Sequence, residues 1–262
     1  MTASRVAIRQ DERNRMNEDL RAETVTVKGA SGTDVPAYLV TPVVRERRPA
    51  VVVIHHMPGY DWSTKEMVRR FGAHEYLAIM PNLHYHDAPG AAPDDAAAAS
   101  RAAGGVPDDR LVADVAGAIE YVKGLDGWNG KVAVIGHCSG GRQAFLAGCR
   151  LDVDAVVDCY GAFVVGSPPE STGLKIGPIV DLTPNLSAPL LGLFGAEDAY
   201  PNPEHVAELE AALKAAGKEF EFHTFDGAGH AFFSVDRPNY RVEAANRGWE
   251  LIFEFFGKHL SA

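Results

Sequence analysis

A chain of 262 residues with 46% hydrophobic and 23% charged side chains carries enough apolar mass for a large layered domain and too much for a disordered tail. Its formal net charge of −10, from 25 Lys plus Arg against 35 Asp plus Glu, excludes the basic footprint of a phosphate-backbone binder, so no nucleic acid partner is expected. The 3 cysteines are too few for a disulfide framework, and neither an apolar leader nor a membrane-length apolar run occurs, so we expect reduced thiols, no membrane partner and a cytoplasmic location.

In chain order, residues 1–22 read as a polar N-terminal arm and residues 23–262 as one domain. Alternating β-branched and polar positions in 23–28 and 35–40 predict a first pair of strands. Short apolar runs follow at 50–55, 76–80, 131–135, 155–159 and 189–194, the pattern of strands covered on both faces in a parallel sheet, and 220–225 adds one more. Between them lies a helix over 109–125, with Leu111, Val115, Ala118, Ile119 and Val122 on one stripe. Another starts at the cap pair Asn202 and Pro203 and stops at Gly217; a last one over 240–258 buries Ala245, Trp249, Ile252, Phe253 and Phe256. This alternation predicts an α/β fold with a mostly parallel central sheet and helices on both faces. The segments 87–107 and 166–187 are long for plain connections and read as functional rims or surface.

The most informative stretch runs from an apolar strand into Gly136, His137, Cys138, Ser139 and Gly140, and then into a helix. This resembles the strand-to-helix nucleophile elbow of α/β-hydrolases, with Cys where Ser is usual. Glycines are required there because strand and helix backbones nearly touch, and the helix N-terminus favours a thiolate at Cys138. Cys149 and Cys159, in apolar surroundings, read as small buried hydrophobes. In such folds an acid and a histidine follow the nucleophile in chain order. Asp198, just past the 189–194 run, is the acid candidate, with Glu197 its nearest rival; His230, in the glycine-rich loop before the last helix, is the base.

Gly136 to Gly141, Gly195 to Asp198, and Gly229-His230-Ala231-Phe232 together resemble the three signatures of the dienelactone hydrolase family, the carboxymethylenebutenolidases. The resemblance spans residues 23–258 and implies a Cys-Asp-His hydrolase that opens a small ester or lactone through a thioester, without a cofactor. An oxyanion hole needs two amide donors: Ser139, after the nucleophile, gives one, and position together with the family likeness assigns Met57 the other. The chain also departs from the family. His56 stands where family members carry a glutamate that activates the cysteine, and either contacts Cys138 or the substrate or packs at the strand end. Two arginines that grip a substrate carboxylate in the family are replaced by His86 and Ser234, so the expected substrate lacks that carboxylate.

Arg142 either replaces one grip or lies on a solvated helix surface, and Trp62, Tyr85, Phe232 and Phe233 are candidate pocket walls. His55, His56, His84 and His86 raise the question of a metal, but no acidic or Cys ligand joins them at a recognisable spacing and no metal is expected. A broad-specificity carboxylesterase or thioesterase, a non-catalytic small-molecule receptor and a metal hydrolase are the competing readings. The sequence does not give the oligomeric state.

Overall fold

The computed structural model describes residues 20–43, 46–57 and 59–261. Its first half contains β1 (Leu20–Lys28), β2 (Asp34–Pro42), β3 (Arg48–Ile54), α1 (Trp62–Ala73), β4 (Leu77–Pro81), α2 (Pro93–Ala103) and α3 (Asp108–Lys123). Its second half contains β5 (Trp128–His137), α4 (Ser139–Arg150), β6 (Ala155–Cys159), β7 (Leu190–Gly195), α5 (Pro203–Ala215), β8 (Phe220–Phe225) and α6 (Val242–His259). The strands form one sheet in the order β1-β2-β4-β3-β5-β6-β7-β8, antiparallel at β1 and β2 and parallel from β4 onward.

Alternation along the strands sends side chains to two separate cores. In β3, Val52 and Ile54 join a core covered by α3, α4 and α5, whereas Val51 and Val53 join one covered by α1 and α6. The central strands therefore bury both faces, and their continuous Val, Ile and Leu runs are what the sequence displays. The edge strand β8 is only half-buried, which explains the polar Glu221, His223 and Thr224 among its phenylalanines.

Three elements depart from the sequence reading. Residues 20–22, assigned to the arm, belong to β1 and pair with Val40, Thr41 and Pro42. That strand hides in the sequence because its outer face is solvated and carries Arg21 and Glu23. The remainder of the arm, 1–19, lies outside the described residues. Segment 87–107 contains helix α2, with Pro93 in its first turn, Asp94 and Asp95 on its positive end, and Gly104 closing it in the left-handed conformation. Helix α1 is started by Asp61, whose carboxylate accepts from the Thr64 amide at 2.8 Å. Among the described residues, no helix is long and apolar enough to cross a membrane.

Candidate active site

Because β3 and β5 to β8 run parallel, the loops that leave their carboxyl ends converge on one edge of the sheet. β5 runs directly into α4 through Cys138, which holds φ 58° and ψ −124°, a conformation that costs a non-glycine residue strain. The neighbours explain how the chain tolerates it. A Cβ on Gly136 would come within 1.9 Å of the Gly140 carbonyl oxygen, and one on Gly140 within 2.3 Å of the Ile54 oxygen. Main-chain bonds then fix the turn: the Cys138 amide donates to the Cys159 oxygen at 3.0 Å, and the Cys138 oxygen accepts from the Gly141 amide at 2.9 Å.

Asp198, buried after β7, sits behind the imidazole of His230. The His230 Nδ1 lies 2.8 Å from Asp198 Oδ2, and Oδ1 of the same carboxylate accepts from the Tyr200 amide at 2.9 Å. Burial alone would depress the histidine, but hydrogen bonds to Asp198 and to Cys138, together with their charges, raise its pKa to about 10. Asp198 thus backs the imidazole of His230, which borders the same cavity as Cys138. Neither Glu197 nor Asp226 holds the ring. Among the described residues, the Met57 and Ser139 amides have no hydrogen-bond acceptor, and both residues border the cavities at Cys138.

The strand-end histidines divide into separate tasks. His55 accepts from the Leu83 amide through Nε2 at 3.0 Å, so its Nδ1 carries the proton and donates to the His56 oxygen at 2.9 Å. Burial, with His84 beside it, keeps its pKa well below the ordinary value. His84 packs edge-on against that ring and is driven by burial to about 4, despite the nearby Asp87. His137 is likewise driven to about 3 by burial among aromatic rings. His56 faces the cleft with Cys138, its Nε2 3.5 Å from Asp61 Oδ2. Burial pulls that carboxyl upward, yet His56 and Thr64 outweigh it and hold Asp61 at about 2. Among the described residues, no group of three or more His, Cys, Asp or Glu is arranged to hold a metal ion.

Cys149 and Cys159 are buried free thiols; burial pushes Cys149 up to about 12 and Cys159 well above its ordinary range. Neither is a nucleophile at neutral pH. Asp158 lies wholly buried at the end of β6, where its Oδ1 accepts from the Gly161 amide at 2.7 Å and burial raises it to about 7.

Two cavities meet at Cys138. One, of about 410 Å³, is mainly apolar and runs under Val106, Phe163, Leu174 and Ile176. The other, of about 560 Å³, is a polar mouth bordered by His56, His230, Ser234, Arg101 and Arg237. The segments 87–107 and 166–187 wall the apolar cavity, and the Lys175 amide joins them by donating to the Gly104 oxygen at 2.8 Å.

The peripheral candidates fall elsewhere. Trp62 is 63% exposed at the start of α1, Tyr85 packs against the α3–α5 core, and Phe232 is fully buried against Phe233. None of the three borders either cavity, and Phe233 is core as well. His86 is tied to the buried Asp114 at 3.0 Å, a carboxylate that also accepts from the Ala30 amide, so its ring is committed to the junction of α3 with the β1–β2 turn. Arg142 is neither a solvated surface group nor a free grip. Its guanidinium is buried and donates to Asp108 at 2.8 and 3.1 Å, to the Gly177 oxygen at 2.8 Å and to the Phe163 oxygen at 3.2 Å. Sequence reasoning passed over Arg101, Arg237 and Asp61. For Asp61 the cap pattern before α1 was the available signal.

A model of the "Dienelactone hydrolase family" matches residues 35–260. A Yersinia pestis protein named "Putative carboxymethylenebutenolidase" is 31% identical over 235 residues, covering 88% of this chain and 86% of its own. A Bradyrhizobium protein named "Probable 2-oxo-3-(5-oxofuran-2-ylidene)propanoate lactonase" is 27% identical over 235 residues, covering 88% and 92%. Among solved structures, a "Putative Dienelactone Hydrolase" from Klebsiella pneumoniae superposes with a TM-score of 0.81 at 27% identity, covering 92% of this chain and 99% of its own.

Proposed function

The chain belongs to the dienelactone hydrolase family, whose model spans most of it, and we propose that it hydrolyses small esters or lactones with Cys138 as the nucleophile. The observation that carries this reading is that Asp198 holds His230 at 2.8 Å while His230 and Cys138 border the same cavity. With His230 raised to about 10, the proton already rests on the imidazole at neutral pH. A cationic imidazole beside a cysteine favours the thiolate as the attacking form.

In the reaction, the Cys138 sulfur attacks the ester carbonyl and the carbonyl electrons move onto oxygen, where the free amides of Met57 and Ser139 receive the charge. Collapse expels the alcohol oxygen, which takes the proton from His230 and leaves a Cys138 thioester. The now neutral imidazole, oriented by Asp198, removes a proton from water as the water attacks the thioester carbonyl. Collapse of that second intermediate releases the acid and returns the thiolate. No step requires a cofactor. In a lactone, the departing alcohol stays attached to the acyl group, and the product is a hydroxy acid.

The test is Cys138→Ala. We expect turnover of 4-nitrophenyl acetate to fall by at least about a thousandfold with the fold retained by circular dichroism. Iodoacetamide should label Cys138 in the native enzyme ahead of Cys149 and Cys159, as read by peptide mass. Unimpaired turnover by the alanine variant would overturn the mechanism.

A further inference from the structure

The two cavities at Cys138 differ in chemistry, and His230 borders only one of them. The apolar cavity touches Cys138, Met57 and Ser139, while the polar mouth touches Cys138, Met57 and His230. An imidazolium that hands its proton to the leaving oxygen must lie within hydrogen-bond reach of that oxygen. The leaving group therefore occupies the side of the scissile bond that His230 borders. The acyl group, retained on Cys138 as the thioester, extends to the opposite side.

From this we infer that the cleft fixes the polarity of its ester: an apolar acyl group enters the Leu174 cavity, and a hydrophilic, anionic alcohol leaves through the mouth bordered by Arg101 and Arg237. This rests on the proposed cysteine mechanism and deepens it to a substrate class.

Each half has its own support. The walls Val106, Phe163, Leu174 and Ile176 offer a carbon chain dry contacts in about 410 Å³, which exceeds what an acetyl group needs. Two cations line this space: the buried Arg142 guanidinium is already committed to Asp108 and two carbonyl oxygens, and Arg101 borders both this cavity and the mouth, at their junction. In the mouth, Arg101 has no carboxylate partner among the described residues, and Arg237 reaches Asp236 only at 3.6 Å. Asp94, seven positions before Arg101 on α2, is the acid bordering the same space, so the cations outnumber it. The lost carboxylate grips at His86 and Ser234 thus do not leave the cleft without positive charge. Arg101 borders both spaces and Arg237 only the mouth, so the excess of charge lies toward the leaving-group side.

Four phenyl esters test this: acetyl and hexanoyl esters, each made with a 3-carboxyphenol and with a 3-carbamoylphenol leaving group. Each methylene is worth about fourfold when fully buried, so kcat/KM for hexanoyl should exceed that for acetyl by roughly twentyfold or more. The carboxylate leaving group should be favoured over the amide by roughly five- to tenfold at low salt, with the advantage shrinking as salt rises. Leu174→Trp, or Ile176→Trp if the first variant misfolds, should collapse the hexanoyl-to-acetyl ratio toward unity. Arg101→Gln should collapse the carboxylate-to-amide ratio.

Flat ratios in an enzyme that still needs Cys138 would overturn this inference and leave the proposed function standing. A preference for the amide leaving group or for acetyl would overturn it by reversing the assignment. Failure to hydrolyse any of the four esters would overturn both.

Discussion

At the scale of single residues, the site turns on how one carboxylate changes one imidazole. Asp198 is buried and spends both oxygens, one on the Tyr200 amide and one on His230, so it has little freedom to rotate away. In Asp198→Asn the ring loses its charged partner, and the His230 pKa should fall from about 10 toward the ordinary value near 6.5. The alkaline limb of kcat/KM, which marks loss of the proton the leaving group needs, should move down with it. The rate at neutral pH should drop by about a hundredfold or more, as general acid–base assistance of this kind is worth. The same shift bears on stability. A histidine whose pKa is raised by folding contributes stability in full below about 6.5 and loses it as pH rises toward about 10. Wild-type urea stability should therefore decline across that window more steeply than that of Asp198→Asn. A limb that stays near pH 10 in the variant would show that Asp198 is not what raises the histidine.

Cys138, Asp198 and His230 stand out as candidates in the sequence because each lies in a local pattern set by its own backbone: an elbow between glycines, a turn after a buried strand, a glycine-rich loop before a helix. The role of Arg142 does not, since its partners Asp108, Phe163 and Gly177 come from three other segments and nothing in its own neighbourhood announces them.

At the scale of elements, the same asymmetry separates strands from rims. Buried parallel strands are announced by continuous apolar runs, so β6 and β8 coincide with the predicted segments and β3, β4, β5 and β7 differ only at their ends. Helix α2 was passed over inside 87–107, although Pro93, Asp94, Asp95 and the alanines after them carry a start signal and strong helix formers. Its Gly and Pro flanks and sparse apolar stripe obscured the period. The rims themselves are held by Arg142, which reaches from α4 to the start of α3 and to the loops after β6. Arg142→Met should leave two carbonyl oxygens and the partly exposed Asp108 without their donors, at a cost of about 1 to 3 kcal/mol. Amide exchange should accelerate across 163–178 and around Gly104 before it does in the sheet, and Arg142→Lys should recover less than half of the loss. Uniform acceleration across all strands would instead mean that Arg142 supports the whole core and not the rims.

At the scale of the whole molecule, the histidine loop is not an independent appendage of the sheet. Directly after His230 and Ala231 the chain buries Phe232 and Phe233 in the α1–α6 core, where Phe232 packs on Tyr160 at 5.0 Å and on Phe225 at 5.2 Å. The Tyr160 ring in turn meets His230 edge-on at 5.2 Å. Helix α6 lies so close that a Cβ on Gly248 would sit 2.4 Å from the Phe233 ring. Packing on this face therefore sets both stability and the position of the base, whereas the α3–α5 face ends in Leu209 and Leu213 without touching the array. Phe232→Ala and Leu213→Ala each remove a fully buried side chain and should cost about 3 to 5 and about 2 to 5 kcal/mol in urea unfolding. Only the first should also slow catalysis. We expect kcat to fall at least tenfold in Phe232→Ala and to stay within about twofold in Leu213→Ala, measured where both variants are more than nine-tenths folded. An equal loss of kcat in the two would show that the array depends on overall stability, and that the aromatic anchor behind His230 holds nothing the opposite core does not.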